Sequence, residues 1–283
     1  MVFIELQPPL LGHFSADSTG FDDLMSVDGD IYREVKGRRT VAFERSGQRY
    51  FIKSHAGFPW KDMVKTLLSF KQPVTGARQE WLGVEALERL GVPTMTIVGR
   101  GQRGWMAGAG GSFIVTKALD GMVSLEDLLN AAEDWPSGQA ERIKRHLIVQ
   151  LADIARVMHE GGVNHRDFYL CHFLVEDRDW SEWQPNETLT LHMIDLHRVQ
   201  IRSNPTPERW RIKDLGALMY SAFGANLTVP DALRFIRAYH GGGPDWKARF
   251  NAQRKFWFAV VSRAIGFQRE WDRQQARTAL REL

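Results

Sequence analysis

Two short segments constrain this chain more than any others. They are Asn164-His165-Arg166-Asp167-Phe168-Tyr169-Leu170-Cys171-His172-Phe173-Leu174 and, further on, Ile194-Asp195-Leu196-His197. Each sets a carboxylate beside an apolar run short enough to be a strand: Phe173 to Val175 after the first, Leu189 to Ile194 before the second. The surrounding chain falls into two contrasting halves. Strand-like segments at Tyr32 to Val35, Thr40 to Glu44 and Arg49 to Lys53 are punctuated by Gly37 and Ser46-Gly47. The first thirty residues, rich in Pro, Gly and Ser, read as loop. Pro59 opens a predicted helix through Leu68, and Arg78 to Leu90 forms another, stopped by Gly91 and Pro93. Strands follow at Met95 to Val98 and Ser112 to Thr116.

The second half is mainly helical. Glu141 to His159 carries Ile143, Leu147, Leu151, Ile154 and Met158 on one stripe. Helices are also predicted at Arg211 to Ala222, at Asp231 to Tyr239, and from Trp246 nearly to the end. The expected class is α+β, with a sheet-rich N-lobe over 1–118 and a mainly helical C-lobe over 119–283, a bilobal protein-kinase-like arrangement. At 283 residues, 43% hydrophobic and 25% charged, the chain is long enough and apolar enough to bury such a core.

The order of the two acidic segments points to phosphoryl transfer. That chemistry needs a cation on the phosphates, a metal to neutralise them and a group to orient the attacking hydroxyl. Asp167, after His165 and Arg166, is the candidate base, and Arg166 shares the catalytic segment. Asp195 at a strand end suits a hard cation such as Mg²⁺. His172 stands five positions after Asp167, where such loops usually carry Asn. It could ligate metal, touch phosphate or be packed in the interior. Lys53 ends a strand and could pair with phosphate, held by a helical carboxylate. Glu80 is the best partner, with Glu85 and Glu88 on the same helix.

The segment Lys36-Gly37-Arg38-Arg39 has one glycine and no G-x-G-x-x-G. Gly37 can be a phosphate-side turn or an ordinary hairpin. Adenine would bond backbone near Lys117 and Leu119. Asp214 could brace the catalytic loop from below, or cap a helix.

Together these residues carry a family resemblance. Gly76-Ala77-Arg78-Gln79-Glu80-Trp81, Ser112 to Thr116, Gly162 to Asp167, Cys171 to Leu174, Ile194 to Arg198 and Arg209-Trp210-Arg211 resemble bacterial lipopolysaccharide core heptose(I) kinases. The resemblance implies a protein-kinase-like fold, ATP and Mg²⁺, with Asp167 as base, Asp195 as metal ligand and Lys53 with Glu80 as the ATP pair. It implies a lipopolysaccharide core glycolipid as acceptor, at the cytoplasmic face of the inner membrane. An acyl carrier protein is a conceivable partner, and nucleic acid is not one.

The short stretch from Asp195 to Asp214 leaves little room for a regulated activation loop, which favours a glycolipid over a protein acceptor. Basic residues gather there: Arg198, Arg202, Arg209, Arg211 and Lys213. They could hold acidic sugars or be a solvated face. Phe168-Tyr169-Leu170 could tune the acceptor pocket, and Phe58 to Phe70 could lie on lipid or pack in the core. The rival readings are a kinase for another core sugar (Kdo or heptose II), a protein kinase directed at tyrosine, and a non-catalytic scaffold. Composition leaves these open: a net charge of +3 fits any anionic partner. A lone cysteine, Cys171, and an N-terminus with no basic segment ahead of an apolar one predict a reducing compartment and no signal peptide.

Overall fold

The computed structural model describes residues 2–35, 37–57, 76–104, 110–131, 138–185, 187, 189–225 and 227–282. The helix expected from Pro59 to Leu68 and the residue Lys36 lie outside them. The chain forms two compact units. One comprises Met1–Glu88, Thr94–Asp120 and Asp195–Val199; the other comprises Arg89–Pro93, Gly121–Ile194 and Gln200–Leu283.

The first unit is built on a six-stranded antiparallel sheet of β1 (Val2–Leu6), β2 (Asp30–Val35), β3 (Arg38–Arg45), β4 (Gln48–His55), β5 (Ile97–Arg103) and β6 (Ser112–Lys117), in the order β1-β5-β6-β4-β3-β2. On one face Val41, Phe43, Tyr50, Ile52, Phe113 and Val115 form a core. The period of two along β4 puts Tyr50 and Ile52 into that core and turns Lys53 to the other face. The helix Arg78–Arg89 presents buried Glu80 and Trp81, and Trp81 packs with Ala77 against Ile114, the residue paired with Lys53.

Two expectations fail in this unit. The opening residues are not loop: β1 and the helices Pro8–Leu11 and Ser18–Met25 bury Leu10, Phe21 and Leu24 in the sheet's core. The polar punctuation that suggested a loop is capping. The Asp17 side chain accepts from the N–H groups of Thr19 and Gly20 at 2.8 and 3.1 Å. The strand expected to end at Val98 instead runs on to Arg103. Gly101 is there for close approach rather than as a breaker, since a Cβ on it would lie 2.5 Å from the Phe113 ring.

The second unit is helical. Gln139–Glu160 buries Ile143, Leu147, Leu151, Ala155 and Met158, and Ile154 is only half-buried. Glu208–Ser221 buries Asp214 through Leu218, and Val229–Tyr239 is closed by a Thr228–Asp231 capping box. The single C-terminal helix expected from Trp246 is two, Trp246–Ala252 and Arg254–Glu282. The strand expected over Leu189 to Ile194 narrows to His192–Met193. Its flanks bond elsewhere, Met193 N–H to the Pro93 carbonyl and Ile194 N–H to the His172 carbonyl. The pair Val163–Asn164 and Gln200–Ile201 ties the start of the segment that carries Asp167 to the chain after Val199.

Candidate active site

In the sheet-bearing unit, Lys53 Nζ lies 2.6 Å from Glu80 Oε1 and 3.6 Å from Asp195 Oδ1. Glu80 is 1% exposed, so the ammonium is the counter-charge that lets this carboxylate stay buried. Burial opposes the Lys53 charge, but Glu80 and then Asp195 outweigh it and hold the lysine above its ordinary pKa. The bond that sequence proposed between strand and helix is therefore present, and Asp195 joins it.

Asp195 adopts a left-handed backbone, φ 61°. Arg166 does too, at φ 75°, and Ser46 is the only other non-glycine residue with positive φ among those described. Strain of this kind persists where surrounding structure enforces it. Sequence reading missed a partner here: His197 Nδ1 donates to Asp195 Oδ1 at 2.6 Å. The acceptor must be the carboxylate, which fixes the imidazole proton on Nδ1.

His55, at the end of β4, was also missed. Burial, then the charges of Arg38, His197 and Lys53, depress it to about 4, so it is neutral. Burial and the charge of Arg33 lower Arg38, against the pull of Asp195 and Glu80.

Gly37 makes the turn between β2 and β3 at φ 79°, and its carbonyl accepts from Ala56 N–H. Lys117 ends β6, and its N–H donates to the Thr96 carbonyl, so that group is not a donor for a base. The next N–H, of Ala118, is bonded to the Arg49 carbonyl. Leu119 follows, half-buried.

In the helical unit the segment that carries Asp167 hangs on Asp214. Its two oxygens accept the backbone N–H of His165 at 2.7 Å and of Arg166 at 2.9 Å. This is the brace that sequence suggested, made by a carboxylate with no exposure at all. His165 donates from Nε2 to the Ile194 carbonyl at 3.0 Å, one residue before Asp195. His172 Nδ1 donates to the carbonyl of Asp167 at 2.7 Å. The His172 ring stacks on His165 with centroids 5.7 Å apart. Asp167 and His172 are half-buried.

Of Phe168-Tyr169-Leu170, Leu170 lines an apolar cavity of about 400 Å³. Phe168 and Leu170 are both buried, and Phe168 packs edge-on against Phe173.

The basic stripe divides. Arg166, Arg202, Arg209 and Lys213 surround the indole of Trp210, their charged groups 5.8, 6.0, 5.1 and 5.7 Å from its centroid. Arg202 also donates to Asn164 and Gln200. Arg211 departs from the stripe and lies over Phe256.

The donor chemistry fits a hard divalent cation. Asp195 offers carboxylate oxygen, and no cage of three or more His, Cys, Asp or Glu side chains exists among the described residues. Mg²⁺ bound through one or two protein groups and substrate phosphates needs no such cage. No helix among the described residues is long and apolar enough to cross a membrane.

Residues 22–239 match the model of the Lipopolysaccharide kinase (Kdo/WaaP) family. The chain is 44% identical over 221 residues to the Lipopolysaccharide core heptose(I) kinase WaaP of Pseudomonas aeruginosa, covering 77% of this chain and 80% of that one. It is 39% identical over 239 residues to the protein of the same name from Escherichia coli K12, covering 84% and 87%. A solved structure described as WaaP in complex with acyl carrier protein superposes with a TM-score of 0.76 at 35% identity, covering 93% of this chain and 98% of that one.

Proposed function

This chain belongs to the lipopolysaccharide kinase (Kdo/WaaP) family and takes ATP as its phosphate donor; from there we propose that it phosphorylates heptose I of the lipopolysaccharide inner core. The observation that carries the kinase chemistry is the cluster of Lys53, Glu80 and Asp195. The heptose assignment is supported by the names of the curated relatives.

In this reading residues 1–118 cover the nucleotide and residues 119–283 carry the catalytic loop. Lys53, held by Glu80, pairs with the α and β phosphates. Gly37 lets backbone approach them, and Leu119 with the carbonyl of Lys117 borders the adenine. Asp167 takes the proton of the attacking sugar hydroxyl as its oxygen bonds to the γ-phosphorus and the bond to the ADP oxygen breaks. Asp214 positions that segment through its backbone. Magnesium, when bound, neutralises phosphate charge. Asp195 would be its oxygen ligand, and His172 is the second candidate.

Arg166 joins Arg202, Arg209 and Lys213 in a cationic wall beside the base, which suits an acceptor carrying acidic sugars. An acyl carrier protein is a proposed partner, supported by the complex in which the structural neighbour was solved. The proposed workplace is the cytoplasmic face of the inner membrane, held peripherally.

The test is to incubate the protein with ATP, Mg²⁺ and dephosphorylated lipopolysaccharide core and to weigh the core. One added phosphate on heptose I, absent with Asp167→Ala, is expected. Phosphate on Kdo or heptose II, or on peptides with none on glycolipid, would replace the acceptor assignment. Unchanged transfer by Asp167→Ala would remove the base.

A further inference from the structure

The helical unit contains a cleft of about 320 Å³ that the proposed reaction does not use. Arg156, Arg211 and Arg249 line it, and Glu160 is the only carboxylate among its lining residues. The three guanidiniums come from three separate helices, Gln139–Glu160, Glu208–Ser221 and Trp246–Ala252, so the fold assembles the charge. Burial, then Arg249 and Arg211, hold His240 on its wall below the usual imidazole range. Burial pushes the Tyr239 phenol up to about 12, so it stays an O–H donor. The guanidiniums are fixed in the walls: Arg156 pairs with Glu160 and Asp153 at 3.1 and 3.3 Å, and Arg249 Nη1 donates to the His240 carbonyl at 2.9 Å.

The cleft is separate from the catalytic loop. His159 stands between them, its Nδ1 2.9 Å from the Tyr239 hydroxyl and its Nε2 3.5 Å from Asp214 Oδ2.

We propose that this cleft is a second, non-catalytic anion site that takes a phosphate group, free or as a small phosphomonoester. Three arginines set around one space present donors from several directions. A tetrahedral, doubly charged anion meets such an array more fully than a planar carboxylate. The volume admits a phosphorylated sugar as well as the bare ion. The site rests on geometry independent of the heptose assignment and stands or falls without it.

The test is calorimetric titration of the full chain with inorganic phosphate and, separately, a hexose monophosphate, at ionic strength matched with chloride. Binding of either is expected, and the stronger of the two identifies the source. Arg249→Gln, at an exposed position, should weaken binding about tenfold or more. Glu160→Gln should tighten it severalfold, because it removes the repelling carboxylate and releases Arg156 from its 3.1 Å ion pair. Lys53→Met and Arg209→Gln, which disturb the other anion-attracting clusters, should leave it unchanged. No heat with either ligand overturns the site. So does binding that survives Arg249→Gln and is lost in Lys53→Met or Arg209→Gln, since the anion then sits elsewhere.

Discussion

Glu80 and Asp214 are both carboxylates withdrawn from water, 1% and 0% exposed, yet they do opposite kinds of work. Glu80 holds a side chain by charge, a single contact to the Lys53 ammonium. Asp214 holds backbone by dipoles, one oxygen to each of two successive N–H groups. A charge pair of the first kind is adjustable, because an ammonium on a four-carbon stem has no fixed direction and Asp195 shares it. The second kind fixes φ and ψ, and it is beside Asp214 that Arg166 keeps its left-handed backbone. A kinase needs both: a cation that follows phosphate and a base that does not drift.

The largest effect should come from breaking the backbone anchor. Asp214→Ala leaves two N–H groups without their acceptor and should cost about 4 kcal/mol in urea unfolding, with transfer activity lost. A cost under about 1 kcal/mol would mean that the loop holds itself.

On the charge side, His55 gives a pH signature. Its folded value of about 4 lies below the free value of 6.5, so the unfolded chain takes up a proton first. Stability is intact above 6.5 and falls as pH drops toward 4, by about 3 kcal/mol over that window. His55→Asn should flatten this limb. Parallel pH profiles for the two proteins would sink the assignment.

Lys53→Met should cost about 2 kcal/mol, less than the loss of Asp214, since it breaks one side-chain pair rather than two backbone bonds. The lysine's folded pKa is raised above 10.5, so its contribution is complete below that value and is lost as pH climbs through the folded one. Between pH 7 and 9 it should therefore not itself titrate. An unfolding series in which wild-type stability shows a Lys53-dependent slope in that range would contradict the ion pair.

The smallest change is at His197. His197→Asn should leave stability nearly unaltered and lower kcat about tenfold, as loss of a group orienting a metal-binding carboxylate does. An unchanged kcat would make His197 a bystander.

Local pattern exposed part of this arrangement. Alternation along β4 turned Lys53 away from the core, and the helical period beginning at Arg78 put Glu80 where a strand lysine could meet it. The order of Asp167, Asp195 and Asp214 was readable as well. His197 was hidden because its spacing does not say that the chain turns back after Asp195, as it does here with Asp195 left-handed and Leu196–Arg198 in a single helical turn. The burial of Phe168 was not legible, because no local pattern says that the residue after Asp167 fills the interior.

Sequence by itself determined the chemistry: which carboxylates and cations occur, in which order, and beside which strands and helices. Those are properties of neighbours along the chain, and periodicity reports neighbours. Only the tertiary structure decided that Asp214 takes two N–H groups 49 and 48 positions away and that four cations gather on Trp210. It also decided that Arg211 leaves that group for a cleft shared with Arg156 and Arg249. Such contacts follow from how buried faces pack, and packing selects distances that no spacing in the chain encodes.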